Sequence, residues 1–286
     1  MTAPSMVRQT LPKPTDRILL GKTGLGVSPV CLGMTALPET VVAAFEEGVN
    51  FFFVTADLHW PLYDGVRKGL AKLLAGSPSR RDQIVVGVVS YLENPLFGAL
   101  QFHEVTNEIA GLNRVDLLIA GAVSSEQSFY SRVDAMSRAR AAGQHEARAI
   151  GATFHQRPLA LLAQHYGMLD ISFIRYNSAH PGASRDLFPY LSGRNIPIFN
   201  FKSTMSQVTP DMFDKLNLGP TYWRPEACDY YRFVLTRPEI DGILCSPLNP
   251  DEMRQLAQAL AKGPLTPEQE AYMIWLSSLI HAQVLT

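Results

Sequence analysis

The chain has 286 residues, 47% of them hydrophobic and 18% charged, with a formal net charge of −1 at pH 7. This is enough apolar material for one sizeable core, and neither charge is in enough excess to draw the protein to nucleic acid or to an anionic membrane. No apolar run reaches the roughly 18 residues of a membrane span; three widely spaced cysteines (Cys31, Cys228, Cys245) without a CxxC predict a reducing, cytoplasmic setting rather than disulfides or zinc.

Residues 1–16 are rich in proline, lack the apolar core of a signal peptide, and are expected to be a disordered lead-in to one domain spanning 17–286. From Arg17 two short strands flank a Gly-containing turn, and an apolar strand follows over about 29–33. A helix begins near Pro38 and ends at Gly48, a residue suited to the left-handed C-terminal position. The next strand, 51–56, is almost wholly apolar, as a parallel strand covered on both faces should be. The alternation continues with helices over about 65–75, 96–112, 126–142, up to 166, 184–191 and 225–236. The strands between them are predicted at 83–91, 115–123, 149–153, 170–176, 196–201 and 240–245. Two helices, 251–262 and 267–284, finish the chain.

Eight apolar runs alternating with helical patterns predict a closed α/β barrel of βα units. An open doubly wound sheet would need a Gly-rich phosphate turn, and the chain contains no GxGxxG. Barrel enzymes carry their chemistry at the C-terminal ends of the strands, so the polar residues expected there are the candidates. His59 with Asp57 reads as an acid/base pair, because imidazole titrates near neutrality and a carboxylate can orient it. Lys202, leaving an apolar strand, reads as an amine of depressed pKa able to act as base or nucleophile. Trp60, Tyr91, Phe154, His155, Asn177 and Phe201 are expected to wall a pocket for a bulky or aromatic small molecule. The histidines show neither HxH nor HExxH spacing, so no metal is predicted. Ser124–Ser125 lacks the strand–GxSxG–helix setting of a hydrolase nucleophile. Oligomeric state is left open.

Several stretches resemble the aldo-keto reductases. Residues 17–34 (RILLGKTGLGVSPVCLGM) are similar to that family's opening LGxTGLxVSxLxLGxM. Residues 47–59 (EGVNFFFVTADLH) resemble its EGVNFFDTADxY. AIGATF at 149–154, IRYN at 174–177, YRFVLTRPEID at 231–241 and AKGPLTPEQE at 261–270 continue the likeness in order. The resemblance implies a (β/α)8 TIM barrel with an N-terminal hairpin, and an ancestry in NADP(H)-dependent carbonyl reduction. It also implies that the catalytic tetrad is replaced, with Val54 at the aspartate, His59 at the tyrosine, Val89 at the lysine and Gly121 near the histidine. A shift of one or two residues would offer Tyr63 as the tyrosine instead.

By the same resemblance the cofactor contacts would fall on Thr153, Phe201, Ser246 and Asn249, with Phe154 and Phe173 replacing polar residues and Leu248 replacing the arginine that grips a phosphate. No cofactor is therefore expected, with NADP(H) bound weakly at most. The leading expectation is an enzyme with proton-transfer, cyclisation or dehydration chemistry, or an altered redox step. The alternatives are a non-catalytic binding or scaffold relative, and an NADPH-dependent reductase with another proton donor.

Overall fold

The computed structural model describes residues 8–284 apart from 56, 144–146 and 195, and leaves the side chains of 95–100 and 281–284 undescribed. Of the lead-in expected at 1–16, residues 1–7 lie outside the described residues. The rest is laid along the barrel: Leu11 is buried, and the Arg8 guanidinium donates to the Pro238 and Ile240 carbonyls.

Strands β1 (Ile18–Leu19) and β2 (Gly26–Val27) form the antiparallel hairpin. Gly21 turns between them at φ 49°, and a Cβ there would stand 2.6 Å from the Asp170 carboxylate. Only glycine tolerates both demands. Eight strands then close a barrel in chain order: β3 (Val30–Leu32), β4 (Phe51–Thr55), β5 (Val85–Ser90), β6 (Leu117–Val123), β7 (Ala149–Phe154), β8 (Ile171–Arg175), β9 (Ile198–Phe201) and β10 (Gly242–Cys245). Every neighbouring pair is parallel, and β10 returns to β3 with Leu244 opposite Cys31.

The helices are α1 (Glu39–Glu46), α2 (Asp64–Gly76), α3 (Pro95–Glu108), α4 (Glu126–Ala141), α5 (Arg157–Tyr166), α6 (Ala183–Asp186), α7 (Pro210–Lys215), α8 (Ala227–Leu235), α9 (Pro250–Ala261) and α10 (Pro267–Val284). The helix expected over 184–191 stops early. Pro189 offers no N–H and crowds the carbonyl four residues back, so the chain tightens into a 3-10 turn over Phe188–Tyr190. The connection after β9 holds a 3-10 turn (Ser203–Ser206) and α7, which is capped by the Thr209 hydroxyl.

At the N-terminal end of the barrel one device recurs on alternate strands. Asn50, Asp116, Asp170 and Asp241 each stand one residue before β4, β6, β8 and β10. Each side chain accepts an N–H from the segment that enters or begins the preceding strand: Ser28 at 2.7 Å, Val86 at 2.8 Å, Ile150 at 2.9 Å and Ile198 at 2.8 Å. The three acids also pair with arginines, Arg81, Arg140 and Arg194. Hydrogen bonds to a charged acceptor are worth about 1.5–3 kcal/mol each, so this ring pins the register of the closed sheet. Above it the lumen is filled by Phe51, Phe53, Phe173 and Phe199. Their rings meet edge to face, Phe51 to Phe199 and Phe53 to Phe173 at 5.6 Å between centroids.

Candidate functional site

The lumen phenylalanines set the parity of each strand, since side chains two apart share a face. On β4, Phe51 and Phe53 point inward, so Val54 points outward to the helices. It is not a lumen replacement for an aspartate. Thr55 is the next inward residue, and its Oγ1 accepts from the Asp57 backbone N–H at 3.2 Å. This turns the chain sharply as it leaves the strand.

The bend brings Asp57 and His59 together. The Asp57 side chain is 3% exposed, and its Oδ1 accepts both the His59 backbone N–H (2.8 Å) and the His59 ring Nδ1–H (2.9 Å). Its Oδ2 accepts the Tyr91 backbone N–H at 3.2 Å. The imidazole lies 4.5 Å from the Tyr91 ring centroid and is half exposed. With Nδ1 committed to the carboxylate, Nε2 is left as the working nitrogen. Neutral, it accepts a proton; protonated, it delivers one.

Tyr91 also explains what happens on β5 and β6. A Cβ on Gly121 would fall 2.5 Å from the Tyr91 ring and 2.8 Å from Val89 Cγ2. The space a side chain at 121 would need belongs to Tyr91. Tyr63, which follows His59 on the same stretch, is buried. Burial, then the Asp57 charge, pushes the Tyr91 phenol up to about 12. Burial pushes Tyr63 well above the ordinary phenol value, so it is a reluctant proton donor.

Next to this, Ala122 adopts φ 49° at a register shift between β6 and β7. Its N–H donates to Thr153 Oγ1 at 2.6 Å. The buried Arg132 donates to the Gly121 carbonyl at 2.7 Å and to that of Ser90. Burial lowers the pKa of Arg132. Arg132 thus holds two strand ends from beneath, a role that no local sequence signal announces.

The remaining candidates divide. Phe201 is on the lumen side, with the His155 ring edge-on to it at 5.1 Å. Phe154 is not a pocket residue: one step out of phase, it packs against Phe129 of α4 at 5.9 Å. Asn177 is buried with its amide engaged, Nδ2 donating to the Lys202 carbonyl (2.9 Å) and Oδ1 accepting from the His180 N–H (2.9 Å). Trp60 is stacked beneath the Arg67 guanidinium and, with Asp57, borders a cavity of about 280 Å³ that reaches Glu104 and Glu108 of α3. Lys202 is exposed in the left-handed region at φ 62°. It follows β9, three strands from β4 around the ring, so it is not assembled with His59 and Asp57. Ser246 and Asn249 serve the backbone: the Ser246 N–H donates to Tyr231, and Asn249 caps α9. Arg175, which the sequence reading passed over, is the inward-facing last residue of β8, two beyond Phe173.

No family model and no curated protein sequence matches the chain. Solved structures do. An aldo-keto reductase from Bacillus halodurans in its holo form is similar over 92% of this chain and 96% of its own, with a TM-score of 0.72 at 14% identity. Its apo form gives 0.67 at 13% over the same shares. A Pseudomonas aeruginosa protein assigned to the aldo-keto reductases gives 0.64 at 17%, covering 90% of this chain and 99% of that one. The chain therefore has the (β/α)8 barrel fold of the aldo-keto reductases.

Proposed function

We propose that this chain is a barrel enzyme acting on a small molecule by proton transfer, with His59 as general acid/base and Asp57 as the residue that orients it. The observation that carries the reading is the 2.9 Å contact from His59 Nδ1 to a buried Asp57 carboxylate at the C-terminal end of β4. Such a contact fixes the tautomer and leaves Nε2 as the single reactive nitrogen. Asp57, held by three N–H donors and 3% exposed, supports and does not itself react.

The fold family implies NADP(H), and the residues present do not fit it. Where the resemblance places contacts to nicotinamide, Thr153 Oγ1 is taken by Ala122, Phe154 faces α4, and Phe173 is locked among lumen rings. At the start of α9, where a phosphate would be gripped, Glu252 is already seated. Its carboxylate accepts the Leu248 N–H at 2.8 Å and the Asn249 amide at 3.2 Å, and Asp251 adds a second negative charge. A helix start satisfied by its own acids repels a phosphate rather than recruiting one. The favoured reading is therefore chemistry without hydride transfer.

The test is to incubate the purified protein with a metabolite extract, with and without NADPH, and follow depletion by mass spectrometry. Depletion that is independent of NADPH and lost in His59→Asn supports the proposal. Depletion coupled to NADPH oxidation and untouched by His59→Asn overturns it.

A further inference from the structure

We propose that the side of the barrel mouth facing the His59–Asp57 pair is an anion clamp, in which Arg175 and Lys202 hold a carboxylate or phosphate carried by the substrate. The inference deepens the small-molecule reading above and rests on it for the word substrate alone; the clamp itself stands on separate residues.

Geometry places the parts. Arg175 ends β8 on the lumen face, beside Phe201 of β9 in the strand register. His155, just past β7, meets Phe201 edge-on, and Lys202 follows Phe201 directly. Three cationic or titratable side chains thus ring one aromatic floor. Among the described residues neither the Arg175 guanidinium nor the Lys202 ammonium has a hydrogen-bond or ion-pair partner, whereas most other arginines of the chain are paired. The carboxylates that belong to the mouth are elsewhere. Asp57 is committed to His59 and Tyr91, and Glu93 accepts from the Ser124 hydroxyl. An inward, partly buried guanidinium without a counterion is a planar fork suited to an oxoanion.

The backbone makes the same point. Lys202 occupies a left-handed conformation that normally selects glycine, and is held there by the Asn177 amide on its carbonyl. The turn lets the chain leave β9 at the mouth directly after Phe201. Burial, then Lys202, then Arg175 depress the His155 pKa, so His155 feels the positive field of this sector. β8 lies four strands from β4 in either direction around the eight-strand ring, diametrically across the mouth. A molecule whose anionic end sits on Arg175 therefore points its other end toward His59 Nε2, over the Phe201 face.

The probes are phenyl phosphate, benzoate and neutral benzyl alcohol, followed by the His155 Cε1–H signal of the full-length protein at constant ionic strength. Expected are a saturable shift and a raised His155 pKa with at least one anion, the tighter of the two naming the anionic group, and no saturable shift with the alcohol. Arg175→Gln should weaken anion binding by about 10- to 100-fold. Lys202→Gln, at an exposed position that does not threaten folding, should weaken it by about tenfold. No saturable shift with either anion, equal binding of the alcohol, or unchanged affinity in both variants overturns the clamp. His59→Asn separates the two readings. Anion binding that survives it while turnover is also kept sinks the proton-transfer reading alone; loss of turnover without any anion binding sinks the clamp alone.

Discussion

Replacing Asp57 by Asn tests the centre of the site while keeping its shape. The carboxylate accepts three N–H groups, from the His59 backbone, the His59 ring and the Tyr91 backbone, at 2.8, 2.9 and 3.2 Å. An amide has one acceptor oxygen. If that oxygen stays on His59, the new NH2 faces the Tyr91 N–H, donor against donor. One hydrogen bond to a charged acceptor is lost, about 1.5–3 kcal/mol, and the other two drop to neutral strength. Together these cost about 3–6 kcal/mol, or a melting temperature lower by about 6–12 °C at roughly 2 °C per kcal/mol. Thermal and urea unfolding measure this, and nitrogen NMR of the imidazole reads the tautomer, whose preference for Nδ1–H should weaken. Turnover should fall by about 10²–10⁴. In a His59→Ala background part of the stability loss should vanish and the Tyr91 part remain. An unchanged melting temperature with an unchanged tautomer would show that the three bonds are not made, and the reasoning fails with them.

Phe173→Gln places an amide among the rings of Phe51, Phe53 and Phe199, and should destabilise by about 2–5 kcal/mol in urea unfolding. NADPH titrated by its own fluorescence should not saturate in the low micromolar range, and a tight, saturable transition there would contradict the Glu252-filled helix start. Asp241→Ala removes an acceptor from the Ile198 N–H and the partner of Arg194, and should cost about 3–5 kcal/mol, more than a typical surface substitution. His155 titrates below its ordinary value in the folded state, so the unfolded chain takes up that proton first as the pH falls. Its contribution to stability is present above about 6.5 and declines below it. His155→Gln should flatten that part of the melting-temperature profile between neutral and mildly acidic pH, and an unaltered slope would exclude the effect.

Local pattern was enough for the barrel. Apolar runs such as Phe51–Thr55 and Val85–Ser90 could only be covered strands, and the intervening helices had to pack over them, so the βα alternation was legible before any contact was known. So was the location of His59 and Asp57, because the end of a barrel strand follows from where its apolar run stops. What the pattern could not supply was direction. Phe154 was read as a pocket residue and Val54 as standing at the aspartate of the tetrad, but inward and outward alternate residue by residue, and a single step of phase set Phe154 against Phe129. Nor could local pattern reveal partners far along the chain. Tyr91 reaches the Asp57 carboxylate across 34 positions and fills the space above Gly121. The Asx ring under the barrel joins residues 20 to 43 positions apart. Arg175 reads in sequence as one more strand residue, and only closure of the sheet turns it inward beside Phe201. Periodicity is a property of neighbours a few residues apart; which side chains share a charge or a space is decided when distant strands are brought side by side.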